Sequence, residues 1–118
     1  MPAKDPRSPL NDILGAISAV QSWSIGRTYD DYLRDHMFRA AIERQVEIVS
    51  EASRRISDHL KASRPDIPWR DVATVGNALR HKYDGISDYE IWSIVTLDFP
   101  ALEVAVTAML ESLSNPHS

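Results

Sequence analysis

The sequence predicts an all-α protein, an antiparallel bundle of helices joined by short connections. Three observations carry that expectation. Apolar residues recur at three- and four-residue spacing through most of the chain. No segment shows sustained apolar–polar alternation bounded by turn residues, so no sheet is expected. Capping residues, prolines and glycines fall between the periodic runs, where helices start and stop.

The first helix is expected from about Leu10 to Trp23, with Ile13, Leu14, Ile17 and Val20 on one stripe. Ser8 or Asn11 can cap it, and Gly26 ends the segment. Thr28 can cap a short helix through Tyr29, Tyr32 and Leu33. The longest helix is expected from Met37 to Ala62. Its seam is Phe38, Ile42, Val46, Val49, Ser53, Ile56 and Leu60, with Glu43, Arg44, Glu47, Arg54 and Arg55 outside it.

Pro65 and Pro68 mark the next break, and Pro68 suits a first helical turn because its missing N–H costs nothing there. The fourth long element runs from Pro68 to Tyr83, with Trp69, Val72, Val75 and Leu79 inward. Asp84-Gly85 is a stop. Ser87-Asp88-Tyr89-Glu90 is a capping-box pattern opening a helix with Ile91, Trp92, Ile94 and Val95. Asp98-Phe99-Pro100 is read as the start of the last helix, with Leu102, Val106, Met109, Leu110 and Leu113 apolar. One domain is expected over 10–113, between a flexible leader at 1–9 and a flexible tail at 114–118.

Composition narrows the function classes. The chain has 118 residues, enough for one core of moderate size. Its net charge is −4, so a broadly basic surface for nucleic acid is not expected and any RNA contact is local. It has no cysteine, which excludes disulfides, zinc–thiolate sites and thiol nucleophiles. That suits a reducing compartment, and a cytoplasmic location is expected. The segment Met1 to Pro9 is polar, without the apolar stretch of a secretory signal. No apolar run approaches the roughly 18 residues a membrane span needs, so no membrane partner is expected.

One stretch concentrates chemistry: Gly76-Asn77-Ala78-Leu79-Arg80-His81-Lys82-Tyr83. Histidine can move a proton, arginine can hold a phosphate and tyrosine offers a hydroxyl. Arg70, Thr74, Asn77 and His81 follow one another at spacings of four, three and four, one polar stripe on a helix. Arg80 lies one turn beyond Gly76. Helical side chains lean back over the preceding turn, so Arg80 can lay its guanidinium across a residue without a side chain. A glycine inside a helix costs about 1 kcal/mol relative to alanine, so it calls for a reason. Room for Arg80 or a phosphate is one; close helix–helix packing is the other.

Each of these residues also has a structural reading. A histidine near a helix C-terminus interacts well with the helix dipole without any catalysis. Tyr83 can be an aromatic on the rim of the core. Glu47 and Glu51, four apart, suit a solvated face as well as acid–base work. His36, His59 and His117 lack clustered partners, and no spacing among the histidines defines a metal site.

Taken in order, several runs resemble the HepT-like branch of the HEPN superfamily. They are Pro68-Trp69-Arg70-Asp71, Gly76 to Tyr83, Ile91-Trp92-Ser93-Ile94-Val95 and Asp98-Phe99-Pro100-Ala101-Leu102. Asp12-Ile13-Leu14 with Ala16-Ile17 resembles that family's first helix. Arg44-Gln45-Val46-Glu47-Ile48-Val49-Ser50-Glu51-Ala52 resembles its second long helix. The resemblance covers residues 10 to 113.

It implies an antiparallel HEPN-like bundle of four to five main helices, forming a homodimer whose His-bearing helix ends face a shared cleft. It implies a metal-independent endoribonuclease toxin of a toxin–antitoxin pair, with RNA as substrate and no cofactor. The antitoxin implied is an MntA-like minimal nucleotidyltransferase that adenylylates the tyrosine of a His-x-Tyr motif. Carried over, His81 is the catalytic base or acid and Tyr83 the modification target, with Asn77 beside them. The family has an arginine five residues before the histidine; here that position is Gly76. Arg80 is the hypothetical replacement, by the lean-back geometry above, and Arg70 a more distant one. Wild-type catalysis in an Arg80→Ala variant would remove Arg80 from that role.

Two other functions remain open on these residues. A weakened or inactive HEPN module would bind a nucleotidyltransferase or nucleotide without cutting RNA, as the glycine at position 76 and the acidic charge suggest. A purely structural dimerisation domain would use the seam of the long helix. Loss of RNA cleavage in His81→Ala separates the nuclease from both.

Overall fold

The computed structural model describes residues 5–80, apart from the Arg80 side chain, and residues 86–114. All regular elements among them are helical: α1 (Arg7–Ser24), α2 (Tyr29–Arg34), α3 (His36–Arg54), α4 (Asp58–Ala62), α5 (Trp69–Arg80), α6 (Asp88–Ser93) and α7 (Phe99–Ser114). A π-helical turn, Ile94–Asp98, joins α6 to α7. The expected all-α bundle is therefore the observed fold.

The core is built from the predicted stripes. Helix α3 packs between α1 and α5, and α1 also packs on α7. Leu10, Ile13, Ile17 and Val20 of α1 meet Ile42, Val46 and Val49 of α3, all at most 1% exposed. Leu102, Val106 and Met109 close the other side of α1. From α5, Leu79 is buried, with Trp69, Val72 and Val75 packed against the same cluster.

Helix starts follow the local chemistry read from sequence. Thr28 makes a complete capping box with Asp31. Ser87 Oγ accepts the Glu90 N–H, as the Ser-x-x-Glu pattern predicts. Asp35, which sequence reading did not single out, caps α3 by accepting the Phe38 N–H. Gly26 adopts φ 71°, the left-handed region that suits glycine after a helix.

Three boundaries differ from expectation. Helix α1 begins at Arg7, inside the stretch expected to be a leader, and Pro9 is already buried.

The long helix expected from Met37 to Ala62 divides in two. It ends at Arg54, where the Arg55 N–H turns back to the carbonyls of Ala52 and Ser53. Ser57 then caps a new helix by accepting the Leu60 N–H. Serines compete with the helix for backbone groups: Ser53 Oγ also donates to the Ser50 carbonyl at 2.6 Å. Ile56 stays buried across the break.

The helix break expected at Asp98-Phe99-Pro100 does not occur. Residues Asp88–Ser114 form one helix of 27 residues. Pro100 has no N–H for the ladder and its ring crowds the preceding turn. The backbone widens instead of stopping, and the Phe99 N–H donates to the Ile94 carbonyl, five residues back. With mean hydropathy 1.5 over its most apolar window, this helix is long and apolar enough to cross a membrane. That corrects the expectation of no such segment. In this fold the helix buries Leu102, Ala105, Val106 and Met109 in the shared core.

Candidate functional site

Helix α5 carries the stripe that the sequence singled out. Arg70, Thr74 and Asn77 are exposed on it. Thr74 Oγ1 donates to the Asp71 carbonyl at 3.2 Å, an internal helix bond. The helix reaches Arg80, whose backbone closes the described part. His81 and Tyr83, together with the Arg80 side chain, lie outside the described residues.

Gly76 lies buried against α3. Its backbone N–H donates to Ser50 Oγ at 3.1 Å, and the Ser50 hydroxyl donates to the Ala73 carbonyl at 2.9 Å. One hydroxyl therefore bridges α5 at two points. Of the two reasons offered for a glycine, close helix–helix packing is the one seen among the described residues.

Arg54, at the end of α3, reaches the same carbonyl. Its Nε and Nη2 donate to the Ala73 oxygen at 3.0 and 2.6 Å. Arg54 is exposed, and among the described residues no carboxylate pairs with it. Sequence reading left it on the outer face of the long helix. Its significance depends on which helix α3 meets, which periodicity does not encode.

Beyond Leu79 the chain re-enters the described structure at Ile86. Leu79, Ile86 and Ile91 form the apolar wall of a cavity of about 390 Å³. Arg39, Glu43 and Asp88 form its polar wall. Arg39 pairs with Glu43 at 3.1 Å and closely with Asp88. Tyr32, fully buried, donates its hydroxyl to Glu43 Oε2 at 2.8 Å. Burial, and then the Glu43 carboxylate, raise the Tyr32 hydroxyl far above its ordinary pKa. Burial opposes the charge on Arg39, but the Glu43 hydrogen bond and the Asp88 charge outweigh it and raise the Arg39 pKa. Among the described residues the group is an ion-pair network in which two carboxylates meet one guanidinium.

A larger groove, about 460 Å³, lies against the N-terminal half of α5 and the π turn. Its walls are largely apolar, among them Val72, Ile94 and Phe99, and its charged residues are Asp66, Asp71 and Asp98. Carboxylates repel a phosphodiester, so size does not make this groove the RNA site. Among the described residues no group of three or more His, Asp or Glu is gathered to hold a metal ion.

Comparison with known proteins agrees with the sequence resemblance. The family model for "Ribonuclease HepT-like" matches residues 13–109. A protein of Methanocaldococcus jannaschii, named provisionally as an RNase, is 33% identical over 106 residues, covering 90% of this chain and 97% of the relative. A protein of Thermococcus cleftensis named as a probable ribonuclease HepT is 34% identical over 94 residues, covering 80% of this chain and 86% of the relative. One from Caldanaerobacter subterraneus, also named provisionally as an RNase, is 27% identical over 108 residues, covering 92% and 96%. No solved structure matches the chain significantly. A family match across most of the chain shows that this protein belongs to the HepT-like ribonuclease family.

Proposed function

We propose that this protein is a metal-independent endoribonuclease. The observation that carries the reading is the family match, which spans the Gly76–Tyr83 run at the end of α5.

In the proposed reaction a ribose 2′-hydroxyl attacks the adjacent phosphorus. His81 accepts the hydroxyl proton, and a proton is delivered to the departing 5′-oxygen. The P–O5′ bond breaks as the new P–O2′ bond forms, leaving a 2′,3′-cyclic phosphate and a 5′-hydroxyl. Charge grows on the phosphoryl oxygens, where guanidinium and amide donors stabilise it. Arg80 and Asn77 are the neighbours of His81 suited to that task, with Arg70 further along the stripe.

The reading extends to regulation. Two copies would form the cleft together, and an MntA-like nucleotidyltransferase antitoxin would transfer AMP to the Tyr83 hydroxyl, releasing pyrophosphate from ATP. A bulky anion there would block RNA.

The glycine at position 76 favours a second reading, a module that binds such a transferase without cutting RNA. Cleavage of a structured RNA in EDTA, beside His81→Ala, decides between them. Cutting by wild type that vanishes in the variant is the expected result. No cutting by a folded, dimeric and unmodified wild type would sink the nuclease and leave the binding module. An adenylyl mass shift on Tyr83 after co-expression with a cognate transferase tests the regulation.

A further inference from the structure

We propose that the groove between the N-terminal half of α5 and the start of α7 is a docking site for a basic amphipathic helix of a partner protein. The inference does not rest on the nuclease reading. It concerns a different face of the molecule, one whose carboxylates repel RNA.

The groove follows from how α5 is held. Among the described residues α5 packs extensively on α3 but on neither α7 nor the π turn. The two walls therefore stand apart, with the buried Val49 of α3 between them. Val72 and Val75 line one wall, and Ile94 and Ala101 line the other. The first three are half-buried and Ala101 is exposed, so apolar surface on both walls is left open. The space is about 460 Å³, within the roughly 300–1,000 Å³ of clefts that hold ligands. Its walls are helices, and the described residues contain no strand whose edge could take up an extended peptide. A helix laid between two helices is the occupant that ridge-and-groove packing favours, with aliphatic side chains as its anchors.

Charge selects among such helices. Asp66 and Asp71 stand at the α5 wall and Asp98 at the end of the π turn, all three exposed. Arg64 meets Asp66 at 2.8 Å, but among the described residues no ion pair engages Asp71 or Asp98. No Lys or Arg of the described residues lines the groove. Unneutralised carboxylates thus flank an apolar trough on both walls. A helix that offers aliphatic residues to the trough and Lys or Arg along its margins meets Asp71 on one side and Asp98 on the other. An acidic helix of the same shape is repelled. A second copy of this chain, of net charge −4, matches that rim poorly.

The test uses the full chain, with labelled Ile and Val methyl groups, and two synthetic helical peptides. One carries Leu on one face and Lys on both flanks; the other has Glu for every Lys. The Leu/Lys peptide should shift the methyl signals of Val72, Val75 and Ile94. It should not move Val104, which is exposed on α7 outside the groove. The Leu/Glu peptide should move none of them. Asp71→Asn combined with Asp98→Asn should weaken the Leu/Lys peptide about tenfold, the scale of two surface ion pairs. Ala101→Trp, at an exposed position, should abolish binding by filling the trough. Added salt should weaken wild-type binding, because exposed charges are screened.

Groove signals that stay in place with the Leu/Lys peptide overturn the proposal. So does equal binding of the two peptides, or a folded double variant that binds within about twofold of wild type. If the double variant unfolds, the salt titration decides: weakening in salt supports the site, and salt-independent binding overturns it. Groove signals that move with protein concentration alone, in step with dimer formation, would mean that a second copy covers the groove, and overturn it as well. None of these readouts involves RNA cleavage, so failure of the nuclease reading and failure of this inference are told apart.

Discussion

The Gly76 backbone N–H meets Ser50 Oγ at 3.1 Å, across the seam where α5 lies on α3. That contact gives the glycine a structural reason: its bare backbone approaches a neighbouring helix. The same hydroxyl donates onward to Ala73, so two helices share one small polar staple inside an apolar seam.

Ser50→Ala should therefore destabilise the fold. Ser50 is 1% exposed, and its removal takes both hydrogen bonds from a buried seam. The expected loss is about 1–3 kcal/mol. The corresponding fall in Tm is roughly 4–12 °C, read by thermal denaturation. An unchanged Tm would mean that water replaces the hydroxyl without cost.

Tyr32 makes alkaline pH informative. Its pKa in the folded protein is raised, by burial first and then by Glu43. In the unfolded chain a tyrosine ionises near its ordinary value of about 10. The stabilisation is thus complete below that pH and lost as pH rises above it. Tyr32→Phe should lower stability at neutral pH by about 1.5–3 kcal/mol, as for a hydrogen bond to a charged group. It should also flatten the alkaline fall. Urea titrations at neutral and alkaline pH check both effects, and an equally steep fall in the variant would assign it elsewhere.

Asp35 governs an acid limb. Its carboxylate accepts the Phe38 N–H and then pairs with Arg27, which together lower its pKa below the ordinary 3.8. A depressed pKa gives stability that is present above the unfolded value and fades as pH falls through the folded one. Stability should decline below about pH 4. Asp35→Asn keeps a good capping side chain but loses the charge, so its acid decline should be shallower. Thermal melts from neutral to strongly acidic pH compare the two proteins.

Gly26→Ala isolates backbone strain. Gly26 has φ 71°, and a Cβ built there meets nothing within 4 Å. The cost is conformational and not a clash. It should come to about 1 kcal/mol, read from the shift of the urea midpoint at constant m. A stabilised variant would mean that the turn readjusts.

Much of this protein was legible in its sequence because helix formation is local. Spacing of three and four placed Ile13, Ile17 and Val20 on one stripe, and Ile42, Val46 and Val49 on another. Thr28 and Ser87 announced helix starts through side chains that satisfy N–H groups a few residues away. The candidate functional stretch was visible too, since the residues from Gly76 to Tyr83 are contiguous.

Tertiary structure decided what depends on neighbours distant in the chain. The helix after Phe38 divides at Arg54 although its apolar seam continues to Ile56, because backbone and serine hydrogen bonds offer an alternative that periodicity does not weigh. Pro100 widens a helix instead of starting one, because Asp88–Ser114 is held on both sides of the π turn, by α2 along α6 and by α1 along α7. Glu43, expected outside the seam, is drawn inward by Tyr32 and Arg39. Sequence alone showed that position 76 has no side chain. Only the packing of α3 on α5 places Ser50 and Arg54 there, because a helix specifies its own faces but not which face of another helix it will meet.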